Sequence, residues 1–151
     1  MSIDPQTVID FAEQHLDGVN TLTVWGERAL FYNPGQRLKR GTYFATVKEK
    51  DGANDRASGL DRPEVWRLNI GISKAKFGDL FGPTPSRPAK GGVVAGDWDF
   101  TALDMLTPHP VYGWMGWVAV CCPQPMTWKR CQRLLEDAHR RAAETYRKRA
   151  K

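Results

Sequence analysis

Cysteine is scarce in this sequence. Three occur among 151 residues, Cys121 and Cys122 side by side and Cys131 alone. An odd count without a C-x-x-C spacing supports neither a disulfide framework nor a zinc site, and leaves buried apolar thiols as the plain reading. Histidine is as sparse: His15, His109 and His139 stand far apart with no H-x-x-x-H or H-x-H spacing, so no metal site is expected. No apolar run approaches the roughly 18 residues of a membrane helix, so no membrane-spanning helix is expected. The opening M-S-I-D-P-Q-T-V lacks the basic and then apolar regions of a signal peptide, which predicts a soluble, cytoplasmic protein. Gly35 to Gly41 and Gly91-Gly92 are not followed by G-K-[ST], so neither is a phosphate loop and no cofactor is expected. Ser73 and Ser86 have no nucleophile-elbow context, and a thiolate at Cys121 or Cys122 would be costly within an apolar strand.

What is present starts with charge. The formal net charge of +5 suggests a nucleic-acid partner until it is divided along the chain. Residues 127–151 hold nine Lys or Arg against three acids, whereas residues 1–126 hold thirteen against fourteen. The basicity is therefore local. Residues 140–151 read as a basic helical tail, with Arg140, Arg141, Arg147, Lys148 and Arg149 the candidates for phosphate contacts. Cations at a helix C-terminus also complement its dipole, and interleaved aromatics are missing there, so weak and non-specific nucleic-acid binding is the most the pattern supports.

A chain of 151 residues fits a single domain, 1–151. Asp4-Pro5 is a helix start, and Val8, Phe11, Ala12, Leu16 and Val19 follow at helical spacing up to the stop offered by Gly18. Residues 22–25 and 29–32 read as a hairpin, 42–47 as a third strand and 50–60 as a polar, mobile loop. The clearest strand spans 65–72: Trp66, Leu68, Ile70 and Ile72 alternate with Val65, Arg67, Asn69 and Gly71, so one face belongs to the core and the other is either solvated or a polar pocket floor. Ser73 caps a short helix that Gly82-Pro83 ends, and a long Pro- and Gly-rich connection follows. Residues 101–106 read as one or two helical turns with Leu103 and Leu106 inward. Residues 114–122 read as a central strand with both faces covered, and Thr127 as the cap of a final helix repeating Cys131, Leu134, Leu135, Ala138, Ala142 and Tyr146. The sum is an α+β fold: a single antiparallel sheet of about five or six strands covered by the N-terminal and C-terminal helices.

The densest stretch is P-H-P-V-Y-G-W-M-G-W-V-A-V at 108–120, which joins rigid backbone, aromatic surface and one titratable ring. With D-R-P-E-V-W-R-L-N-I-G-I (61–72), K-F-G-D-L-F-G (76–82) and D-F-T-A-L-D (99–104), it resembles an uncharacterised family of small bacterial domains of unknown function. More distantly, the strand after H-P-V-Y and the helix reading L-L-E-D-A-H-R-R-A are similar to the MmcQ/YjbR-like proteins of the CyaY-like fold. That second resemblance implies DNA binding through wing-like hairpins.

Three functions stay open on these residues. The first is a non-catalytic domain that binds a small molecule or a protein partner in a cleft formed by Arg67, Asn69, Asp99, Asp104, His109, Tyr112 and Trp114. A guanidinium fork, an imidazole and aromatic faces suit such a site. The second is DNA binding by the basic segment, and the third a small hydrolase or transferase with His109 as general base oriented by Asp99 or Asp104. The plainer alternative for His109 is a turn lock between two prolines. Trp25, Trp98 and Trp128 fit a core or a partner surface equally, which leaves the oligomeric state open.

Overall fold

The computed structural model describes residues 3–149. Helix α1 (Pro5–His15) starts where the sequence places it: the Asp4 carboxylate accepts from the Thr7 amide and Pro5 occupies the first turn. Six strands then build one sheet: β1 (Val19–Val24), β2 (Glu27–Tyr32), β3 (Thr42–Lys48), β4 (Arg67–Gly71), β5 (Thr107–Pro108) and β6 (Trp117–Cys121). Their order is β1-β2-β3-β4-β6-β5, and every pairing is antiparallel. Helix α2 (Lys74–Phe81) follows β4, with the Ser73 hydroxyl accepting from the Lys76 amide, and α3 (Pro125–Arg149) closes the chain. The expected α+β fold is thus found, with six strands.

Alternation along the strands gives the sheet two unlike faces. One carries Leu30, Val47, Leu68, Ile70, Val118 and Val120, and buries them against Val8 and Ala12 of α1, Phe77 of α2, and Cys131, Leu135 and Ala138 of α3. Asp137, buried in α3, accepts from the Ser73 amide and pairs with Arg140, which ties α3 to the start of α2. Helix α3 begins at Pro125 rather than beyond Thr127, because proline at the first position needs no amide partner. Residues 140–149 are the last turns of α3, with Ala142, Ala143 and Tyr146 buried, and residues 150 and 151 lie outside the described ones.

The second face carries Thr46 and Lys48 of β3, Arg67, Asn69 and Gly71 of β4, and Trp117, Ala119 and Cys121 of β6. Loops cover it instead of helices. Residues 50–60, expected to be mobile, are anchored: the Asp51 carboxylate accepts from the Leu60 amide, Leu60 is buried, and Asp55 and Ser58 bind Arg67. Arg67, the partner of Asp55 and Ser58, lies outside the loop on β4, which local sequence does not reveal. Residues 101–106 form no helix, and Leu103 is exposed while Leu106 is buried. The strand expected from 114 starts at Trp117, because Gly113–Met115 makes a 3-10 turn that Gly116 ends in the left-handed region.

Candidate functional site

Arg67 is the centre of the second face. It is the largest fully buried side chain, at 1 % exposure, and each nitrogen of its head is engaged. Nε donates to Asn69 Oδ1 at 2.7 Å, Nη1 to Asp55 Oδ1 at 3.0 Å and to Ser58 Oγ at 2.9 Å, and Nη2 to Asp55 Oδ2. Arg67 and Asn69 are two apart on one strand and so share its face, which brings the guanidinium to the carboxamide. Register carries the network onward: Asn69 pairs with Thr46, its Nδ2 donates to Thr46 Oγ1 at 3.0 Å, and Thr46 donates to Glu27 Oε1 at 2.8 Å. Lys48 Nζ lies 3.9 Å from Glu27 Oε2. Two cations and two carboxylates thus balance across β2, β3, β4 and the 50–60 loop, as burial of charge demands.

His109 enters from the edge. Its amide donates to the Trp117 carbonyl at 2.9 Å, extending the β5–β6 ladder by one bond. Nδ1 accepts from the amides of Val111 at 3.1 Å and Tyr112 at 3.0 Å. Nε2 lies 3.2 Å from Arg67 Nη2. Burial pushes the imidazole well below its ordinary pKa of 6.5, and the Arg67 charge beside it pushes the same way, against the weaker pull of Asp55. Buried, with Nδ1 facing two amide donors and Nε2 facing the Arg67 guanidinium, the ring holds the 109–112 turn, and neither nitrogen is free to take a substrate proton. For Asp55, burial acts to raise the pKa, but the hydrogen bonds and charge of Arg67 outweigh it and the carboxyl ends below its ordinary 3.8.

Both shifts give stability the same pH dependence. Below about pH 6.5 an unfolded chain protonates this histidine while the folded one resists, so the unfolded state binds more protons and acid destabilises. Below 3.8, Asp55 adds to the loss. The thermal unfolding midpoint should therefore fall between about pH 7 and 5, and His109→Asn, whose carboxamide oxygen can replace Nδ1 as acceptor, should flatten that slope. An unchanged slope in the variant would assign the effect to other groups.

Beside this network lies a cavity of about 230 Å³ lined by Trp25, Glu27, Tyr43, Thr46, Asn69, His109, Tyr112 and Trp117. Its aromatic walls stand partly in solvent: Trp25 is 56 %, Tyr112 49 % and Tyr43 41 % exposed. Gly71 makes room for the fourth ring, since a Cβ there would lie 2.7 Å from the Trp117 indole, which stacks on Tyr43 at 5.3 Å. Trp25 and Gly26 form the two-residue hairpin turn between Val24 and Glu27, both with positive φ, 55° and 73°. Glycine or asparagine suits such a turn; a bulky tryptophan there is strained, and strain of this kind gathers at functional sites.

Of the seven residues singled out from sequence, four meet here: Asn69, His109 and Tyr112 line the cavity, and Arg67 supports its floor. The other three do not. Asp99 accepts from the amide and hydroxyl of Thr101 in an exposed turn, and Asp104, at φ 60°, accepts from the Gln124 amide at 2.7 Å. Neither bonds to the imidazole, so the general-base arrangement read from sequence is not assembled by these residues. Trp114 lies beyond Tyr112 in a separate cavity, under the Arg87 guanidinium at 4.9 Å from its ring centroid. Sequence reasoning missed Glu27, Thr46, Asp55, Ser58, Trp25 and Tyr43. Plain alternation along β3 would put Tyr43 and Thr46 on opposite faces, and the β-bulge at Leu30/Phe31 is what brings both to the cavity. Trp117, read as plain core strand, is indeed buried, yet it faces the cavity.

Other features compete less well. A larger cavity, about 850 Å³, lies at the sheet end where β3 and β6 finish, among Asp4, Lys50, Asp61, Arg62 and Trp66. Its polar groups serve the fold: Asp4 caps α1, Asp61 accepts from the Asp51 amide, and Arg62 donates to the carbonyls of Ser58, Gly59 and Thr101. Among the basic candidates, Arg140 pairs with Asp137, Arg141 donates to the Gly71 carbonyl and Arg149 to the Gly41 carbonyl, while Arg147 and Lys148 are exposed. Among the described residues no group of three or more His, Cys, Asp or Glu converges to hold a metal ion, and no helix is long and apolar enough to cross a membrane.

No curated protein and no solved structure matches this chain, so the distant similarity to MmcQ/YjbR-like proteins and the CyaY-like fold gains no support. A family model does match, over residues 1–151, and agrees with the resemblance read from the motifs at 61–72, 76–82, 99–104 and 109–118: the chain belongs to DUF6194, a family of unknown function.

Proposed function

We propose that this protein is a non-catalytic binding domain whose site is the aromatic-walled cavity over Asn69, Thr46 and His109. One observation carries the reading: a buried, charge-balanced network, costly to assemble, supports the floor of an open cavity whose walls are aromatic rings left partly in solvent. Apolar walls with a few fixed polar groups are the usual composition of ligand sites. At about 230 Å³ the cavity falls below the roughly 300–1,000 Å³ of drug-sized sites, which suits a small head group or the tip of a side chain.

A thermal-shift screen of small amines, carboxylates and heteroaromatic compounds tests it. A ligand at 100 times its Kd should stabilise the fold by about 2.7 kcal/mol, and Tyr112→Ala, an exposed wall residue, should abolish that gain. Stabilisation that survives Tyr112→Ala, or none from any compound, overturns the proposal.

A further inference from the structure

We infer that the cavity takes a small organic cation, a methylated ammonium group, held by the rings of Trp25, Tyr43, Tyr112 and Trp117 with Glu27 as its counter-charge. This rests on the binding reading above and adds the class of ligand. Of the eight lining residues, Glu27 is the only one that is formally charged when His109 is neutral. Of the other charges of the network, Arg67 is spent on Asp55, Ser58 and Asn69, and Lys48, outside the lining, lies beside Glu27 itself. Glu27 Oε1 accepts from Thr46, whereas Oε2 has Lys48 Nζ at 3.9 Å, beyond hydrogen-bond distance, and keeps acceptor capacity.

The walls suit the same ligand. Trp25 meets Tyr43 at 64° with 5.3 Å between centroids, so the two rings form a corner rather than the parallel slot a flat heterocycle would enter. Tyr43 stacks on Trp117 at 29°, which extends one side of that corner. Electron-rich ring faces attract ammonium groups, and methylated ones lose little hydration on entry. The chain already shows the preference: the Arg40 guanidinium lies 5.7 Å from the Trp25 ring centroid. Burial first, and then Tyr112 and Glu27, raise the pKa of the Tyr43 hydroxyl, so this wall of the cavity stays uncharged. Cation binding also gives the strained Trp25 a purpose, because the turn alone would be better served by asparagine.

The test titrates the full-length protein with choline, with its neutral isostere 3,3-dimethylbutanol and with acetate, following the indole N–H signals of Trp25 and Trp117 by NMR. Choline should bind at least about tenfold more tightly than the isostere, and acetate not at all. Glu27→Gln should weaken choline about tenfold while leaving the isostere unchanged. Trp25→Asn should do the same to choline with the far-UV circular dichroism preserved, since asparagine fits the turn. Isostere or acetate bound as tightly as choline would overturn the cation assignment and leave the binding site standing. Choline affinity untouched by both substitutions would overturn it as well, as would no response to any of the three. A trimethyllysine peptide bound more tightly than choline would identify the source as a protein side chain, and one bound more weakly, a free metabolite.

Discussion

Arg67→Met should cost this protein about 3–5 kcal/mol of stability, read as a shift in the urea unfolding midpoint followed by circular dichroism. Removing one partner of a buried ion pair is far more damaging than removing both, because the surviving charge stays in a medium that cannot solvate it. Here the survivor is Asp55, whose carboxylate takes both of its Arg67 bonds from one guanidinium, and Ser58 Oγ and Asn69 Oδ1 lose donors at the same time. Asp55 keeps 16 % of its side-chain surface in water, which places the loss toward the lower end of that range. The double variant Arg67→Met/Asp55→Leu should recover most of it. Because Asp55 and Ser58 pin the 50–60 loop to the sheet, Arg67→Met should also open that loop to proteolysis before the rest of the chain. A loss below about 1 kcal/mol would mean that the network does not hold the second face together.

The second large effect is expected at Gly71. Alanine there would put Cβ 2.7 Å from Cε2 and Cζ2 of Trp117 and 3.1 Å from its Nε1. The indole cannot swing away cheaply, since it is buried on β6 and stacked on Tyr43. Overpacking of this kind costs about 1–3 kcal/mol, and the displaced ring takes one wall of the cavity with it. Gly71→Ala should therefore lose both stability and any ligand that binds there. Trp117→Leu on its own should lose the ligand but little through strain, and adding it to Gly71→Ala should restore part of the stability, a coupling that a double-mutant cycle reads directly. Additive losses would show that the two residues do not share the space.

Much of the layout was legible in the residues themselves. Asp4-Pro5, Ser73 and Gly82-Pro83 mark helix ends by capping chemistry that acts within a few positions, and they mark them in the structure. The alternation at 65–72 placed Arg67 and Asn69 opposite the core face, since a period of two is a property of a strand wherever it lies. The strand at the end of 108–120 was legible as well, although it starts at Trp117 and not at 114, because Gly113–Met115 turns first.

What the residues could not supply was who faces whom. Whether Arg67 meets solvent or a partner depends on a loop that returns from residues 55 and 58, and whether His109 meets Asp99, Asp104 or Arg67 depends on which strand β6 pairs with. Asp99 and Asp104 precede the histidine closely in the chain, yet spend their carboxylates on Thr101 and Gln124. Short-range rules fix helix caps, turns and the two faces of a strand, because those are set by bonds between neighbours. The cavity joins the Trp25 turn, four strands and the 109–112 turn, and only the strand order and register of the folded sheet bring those side chains to one place.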